Sequence, residues 1–175
     1  LTITKVKTPW FLFPFLLKRL FIQSKPEYSK LPGLALKFYH TADRGANFGG
    51  IYLWHDKASA DNQFNAQWFE RVRKRLKCEG RVDYFSVLDH QVSTAPDFDY
   101  HKLSSAYCLL VKSNDILPAD TMKEKGVLES FQLQQGAQSY ILWLFSAQKQ
   151  VMDFIHQLNS TSYELFRTPV LLKNL

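Results

Sequence analysis

The chain has 175 residues, 46% hydrophobic and 22% charged, with 15% aromatics and a net charge of +6. That is ordinary globular usage, enough for one large domain or two small ones around a sizeable core. Two cysteines, Cys78 and Cys108, exclude a disulfide framework, and neither lies in a CxxC or at metal-ligand spacing from a histidine, so no zinc site is expected.

Thr2 to Lys7 alternates as a strand does. Thr8-Pro9 opens a helix, with Thr8 as N-cap and Pro9 at the first helical position, running to about Ile22. Its apolar run from Trp10 to Leu17 is eight residues long and contains Pro14, while a membrane-spanning helix needs ~20, so no span is expected. No small-residue cleavage site follows it, and with the low cysteine count this points to the cytoplasm. Lys25 to Gly33 is a breaker-rich connection.

Leu34 to His40 and Gly49 to His55 read as the second and third strands, joined by a turn carrying Asp43, Gly45 and Asn47. Asp56 or Ser59 caps a helix whose Phe64, Trp68, Val72 and Leu76 recur every four residues, ended by Gly80. The opposite face holds Arg71, Arg73, Lys74, Arg75 and Lys77, which reads as a solvated surface. No aromatic-interleaved RNA motif or helix-turn-helix signature accompanies it, and no nucleic-acid partner is expected. Arg81 to Leu88 is the fourth strand.

The order strand, helix, strand, strand, helix, strand is ferredoxin-like. After a linker it recurs. Tyr107 to Lys112 is a strand, Asp115 to Lys125 a short helix, and Val127 to Leu133 and Tyr140 to Phe145 are strands. Gln148 to Leu158 is a helix, and Tyr163 to Leu172 a closing strand whose Pro169 suits a sheet edge. Gly33-Leu34, Phe38 and Leu53-Trp54 have counterparts in Gly126-Val127, Phe131 and Leu142-Trp143. The expected fold is thus α+β, with one ferredoxin-like unit over 1–92, a linker over 93–104 and a more divergent unit over 105–175.

Pro32-Gly33-Leu34 with Lys37, then Gly49-Gly50-Ile51-Tyr52-Leu53-Trp54, then the helix from Ala58 to Trp68, resemble the YdhR-type monooxygenase family of the dimeric α/β-barrel superfamily, over roughly residues 1–92. The resemblance implies paired ferredoxin-like units whose sheets form a barrel, here supplied by one chain. It also implies a small monooxygenase-like oxidoreductase acting without a dedicated cofactor on an apolar aromatic molecule. Haem-degrading relatives make haem binding an alternative, with His40, His55 and His156 as available ligands.

Cofactor-free oxidation needs an apolar cavity and a base or donor that stabilises the substrate anion. His40, Asn47 and His55 are the candidates for catalysis, and Tyr39, Trp54 and Tyr84 for the pocket wall, with His90 close by in sequence. Each has a plainer reading. Trp54 and Trp143 suit a core, His40 and His55 end strands, Asn47 suits a turn, and Tyr84 half-buries a ring. No GxGxxG, P-loop, GxSxG or HExxH motif is present. The competing readings are a non-catalytic small-molecule or haem-binding protein and a solid interaction module, and under any of the three readings the chain could further form a homodimer.

Overall fold

The structure is a computed structural model describing residues 1–10, 12–42, 47–94, 98–100, 103, 105–112, 126–158 and 162–174. It is a mixture of helices and antiparallel strands. The strands of the first unit are β1 (Thr2–Lys7), β2 (Leu34–Ala42), β3 (Asn47–Trp54) and β4 (Gly80–Tyr84), and its helices are α1 (Pro14–Tyr28), α2 (Lys57–Gln63) and α3 (Ala66–Leu76). The second contains β5 (Ser86–Val92), β6 (Ala106–Lys112), β7 (Val127–Gln135), β8 (Gln138–Phe145), α4 (Gln148–Gln157) and most of β9 (Tyr163–Lys173). The helix expected over Asp115 to Lys125 lies outside the described residues.

The compact units are Leu1–Tyr84 with Pro169–Leu175, and Phe85–Thr168. In the first, the strand order is β4-β1-β3-β2, with the end of β9 beside β2. In the second it is β9-β6-β8-β7, with β5 beside β7. Arg81 to Leu88 is therefore not one strand. It breaks at Phe85, and Ser86–Val92 pairs with β7. Pro169 also differs from its expected place on an edge. It follows Thr168, the last residue of β9 paired with β6, where the strand passes from one unit to the other. A residue with no N–H fits where the partner changes.

The first helix begins later than the Thr8-Pro9 signal suggests. Pro14 occupies its opening turn and Phe13 caps it without a side-chain bond. Two prolines compete for one helix start, and both have the fixed φ that suits it. The helix runs through Pro26 to Tyr28, since the residue before a proline is biased against, not barred from, helical geometry. The expected single helix after Asp56 is two. Asp56 accepts from the Ser59 amide at 2.7 Å and starts α2, while Asn65 accepts from the Gln67 and Trp68 amides and starts α3. Each cap contributes roughly 1 kcal/mol.

Register assigns the faces of the first sheet. Thr2, Thr4 and Val6 pair with Tyr52, Gly50 and Phe48, and Tyr52 and Gly50 pair in turn with Lys37 and Tyr39. That face meets the helices, and its core joins Tyr39, Tyr52, Trp54, Leu17, Phe21, Phe64 and Trp68. Burying each such side chain contributes about 1.5–3 kcal/mol. Ile3, Phe38, His40 and Ile51 alternate onto the other face and are almost wholly buried. In the second unit Tyr107, Leu109, Trp143 and Phe145 pack on Val151 and Phe154 of α4.

Candidate functional site

Between the helix-facing side of the first sheet and helices α1 and α3 lies a cavity of about 330 Å³. Its wall includes Thr4 and Val6 of β1, Phe21, Ser24 and Tyr28 of α1, Lys37 and Tyr39 of β2, Tyr52 of β3 and Trp68 of α3. Glu27, Arg71 and Arg75, all exposed, stand at its rim. That size is in the range of small-ligand sites.

Lys37 sits among rings. It is 2% exposed, and its Nζ lies 2.8 Å from the Tyr28 ring centroid, 3.8 Å from that of Tyr39 and 4.7 Å from that of Tyr52. It is there because β2 alternates. Lys37 and Tyr39 take the helix-facing side and leave Phe38 and His40 on the other. Burial holds the Lys37 amine well below the usual lysine range, with Glu27 opposing. Quadrupoles of the rings favour the cation, but desolvation is the larger effect at this depth.

The tyrosines move the other way. Burial raises Tyr28, Tyr39 and Tyr52 above the usual phenol range, so all three remain protonated donors. Ser24 Oγ lies 3.0 Å from the Tyr39 hydroxyl. Tyr52 has its place because Gly50 leaves room. A Cβ on Gly50 would stand 2.7 Å from the Tyr52 ring carbons, and one on Gly49 would overlap the Thr4 carbonyl oxygen. The Gly-Gly pair thus lets β1 approach closely while a tyrosine ring folds over the strand. A basic amine and several phenolic donors around an apolar space can take a proton from a weakly acidic ligand and stabilise the resulting anion.

The six residues singled out in the sequence are dispersed. Tyr39 lines the cavity. Trp54 stands one step away in the core, stacked on Tyr52 at 5.8 Å, with its Nε1 donating to Thr2 Oγ1 at 2.9 Å. His40 is fully buried on the opposite face, where Nε2 lies 3.0 Å from the Thr4 carbonyl oxygen. A carbonyl only accepts, so Nε2 carries the proton, and burial pushes the ring down to about 3. His55 is exposed after the end of β3, and Asn47 is half-buried at its start, opposite Lys7. Tyr84 is half-buried near Lys57, whose Nζ lies 5.5 Å from its ring centroid. None of His40, Asn47, His55, Trp54 and Tyr84 is in the cavity wall.

Sequence reasoning missed Lys37, Tyr28, Tyr52, Arg71 and Arg75 as site residues. Lys37 has a local signal, a lone charge inside the apolar run Leu34 to His40. Arg71 and Arg75 have one too, at i+3 and i+7 from Trp68, a spacing that brings them round to the cavity side of α3.

Both cysteines are free thiols. Cys108 is buried 3.6 Å from Thr168 Oγ1, and burial pushes it up to about 12. Among the described residues, no cluster of His, Cys, Asp and Glu is placed to hold a metal ion, and no helix is long and apolar enough to cross a membrane.

No protein-family model and no curated protein matches the chain. Solved structures do. A "putative monooxygenase" from Fusobacterium nucleatum superposes with a TM-score of 0.62 at 10% identity, covering 98% of this chain and 93% of that one. A "putative monooxygenase" from Lactobacillus acidophilus gives 0.59 at 10%, covering 98% and 95%. An anthrone oxidase-like protein gives 0.59 at 8%, covering 98% and 92%. At such identities the likeness is one of fold, and it extends over nearly the whole of each chain.

Proposed function

We propose that the first unit binds a planar, electron-rich aromatic molecule and oxidises it with dioxygen, without a dedicated cofactor. The observation that carries this reading is the buried Lys37 amine facing a cavity walled by three protonated tyrosines. In this reading neutral Lys37 removes a proton from an activated methylene or phenol of the ligand, and the tyrosine hydroxyls stabilise the anion. The anion then reduces dioxygen. For a methylene, both C–H bonds break and a C=O bond forms. One oxygen atom is retained and the other leaves as water, with all electrons supplied by the substrate.

The monooxygenase-like fold supports this class of reaction by analogy. The strand order also supports tandem ferredoxin-like repeats. With strands counted along the chain, both units read 4-1-3-2, and each has a further strand beside its second.

The test is oxygen uptake with anthrone as probe, followed by quinone absorbance. We expect equimolar oxygen consumption by the wild type and none above background by Lys37→Met, with unchanged far-UV circular dichroism. Activity retained in that variant would sink the role of Lys37. A second reading, a non-catalytic binding protein, is favoured by a cavity wall that, among the described residues, holds no histidine or asparagine. Probe binding without oxygen uptake would select it.

A further inference from the structure

Helix α1 is apolar on two faces. Leu17, Phe21, Ser24 and Tyr28 turn inward, Leu17 and Phe21 being buried and the other two half-buried. On the opposite side Phe15, Lys18, Arg19 and Ile22, at i, i+3, i+4 and i+7, share an outward face. Phe15 is 70% exposed and Ile22 52%, and just before the helix Phe13 is 57% and Trp10 92% exposed. Single exposed apolar residues are common, but among the described residues three exposed aromatic rings, Trp10, Phe13 and Phe15, fall within six positions, with Phe13 stacked on Phe15, and form a patch.

The charge around this patch has one sign. The first 26 residues contain Lys5, Lys7, Lys18, Arg19 and Lys25 and no Asp or Glu. Lys5 is engaged with Asp83 at 3.5 Å, while Lys18 and Arg19 are exposed on the face of Phe15 and Ile22. Aromatic rings that tolerate the polar–apolar boundary, with long cationic side chains beside them, match the chemistry of an anionic bilayer surface.

We propose that this face docks the protein on an anionic membrane, with Trp10, Phe13 and Phe15 at the boundary between headgroups and acyl chains and Lys18 and Arg19 among the lipid phosphates. The inward side of the same helix walls the cavity. Leu20, 47% exposed, belongs to the same helix and also lines the cavity wall. The docking stands on the patch and its charge, and does not depend on the oxidation proposed above.

The test uses the intact protein with vesicles of phosphatidylcholine alone and of phosphatidylcholine with phosphatidylglycerol. Trp54, Trp68 and Trp143 are buried, so a change of tryptophan emission reports on Trp10. We expect a blue shift and co-sedimentation with the anionic vesicles, weakened by added salt. Trp10→Phe should lose most of the emission change and still sediment. Lys18→Glu with Arg19→Glu should weaken partitioning by about tenfold or more, since each cation near such a surface contributes about 1 kcal/mol. Absence of binding to anionic vesicles at low salt, or binding indifferent to the double charge reversal, would overturn the proposal. So would a lipid-free dimer that Phe15→Ser converts to monomer, since the patch would then be a contact between two copies of the chain.

Discussion

Lys37 Nζ lies 2.8 Å from the centroid of the Tyr28 ring, so a lysine that should be strongly hydrated is held against an aromatic face instead. Burial lowers its proton affinity while the unfolded chain keeps the ordinary value. Between the folded-state value and that ordinary value, near 10.4, the unfolded state binds the extra proton. Stability therefore rises with pH across that window. Reductive ¹³C-methylation followed by NMR titration should show one methyl-lysine signal titrating well below the others. Lys37→Met removes the desolvation cost and should stabilise the protein by about 1–3 kcal/mol in urea denaturation. A signal titrating with the surface lysines would refute the buried, neutral amine.

Tyr52 lines the same cavity, and Gly50 makes room for its ring. A Cβ at Gly50 meets the Tyr52 ring at 2.7 Å, so Gly50→Ala must displace the ring or the strand. We expect a loss of ~1–3 kcal/mol in stability, as for overpacked cores, together with weaker binding of an aromatic probe. Gly136 offers a control, because there a Cβ meets nothing within 4 Å. Its φ of 60° nevertheless makes Gly136→Asn a fairer substitution than alanine.

His40 should set an acid limit. Its ring is fully buried and pushed down to about 3, against about 6.5 when unfolded. As pH falls from about 6.5 towards 3, the unfolded state takes up a proton that the folded state refuses. Stability then drops by up to about 1.4 kcal/mol per pH unit. His40→Gln can keep an N–H directed at the Thr4 carbonyl and lacks the titrating ring. Its urea midpoint should fall less steeply over that range than that of the wild type, and parallel slopes would remove His40 from the acid response.

In the second unit, His90 Nε2 lies 2.9 Å from Glu129 Oε2 while the His90 ring stacks on Phe131 at 4.2 Å. Glu129 is 1% exposed. His90→Ala would leave the buried Glu129 side chain with its Tyr100 contact but without its imidazole partner, and should cost ~1–3 kcal/mol. Adding Glu129→Leu should recover most of that loss, because the pair is then replaced by apolar packing. Additive losses in this double-mutant cycle would show that the two residues are not coupled.

The sequence by itself determined the local elements. The strands of β1 and β8, the α4 helix and the Asp56 cap were readable because alternation, helical periodicity and capping are properties of a few neighbouring residues, whereas the stop expected at Gly80 was misplaced: Lys77, in the left-handed region, ends α3, and Gly80 opens β4. Asn65 hid the break between α2 and α3, since the apolar stripe Phe64, Trp68, Val72, Leu76 runs straight across it. Of the candidate site, Tyr39 was legible, and Trp54 as core.

Only tertiary structure decided the rest. Periodicity says which residues share a face, but the identity of the covering layer comes from pairing register between strands distant in sequence. His40 and Lys37 are three residues apart on one strand and end on opposite sides of the sheet, and it is the α1 and α3 side that holds the cavity. The same holds at Phe85 and Pro169, where a strand continues along the chain but changes the unit it joins. Backbone hydrogen bonds to a distant strand, not the residues' own propensity, settle which sheet such a strand belongs to.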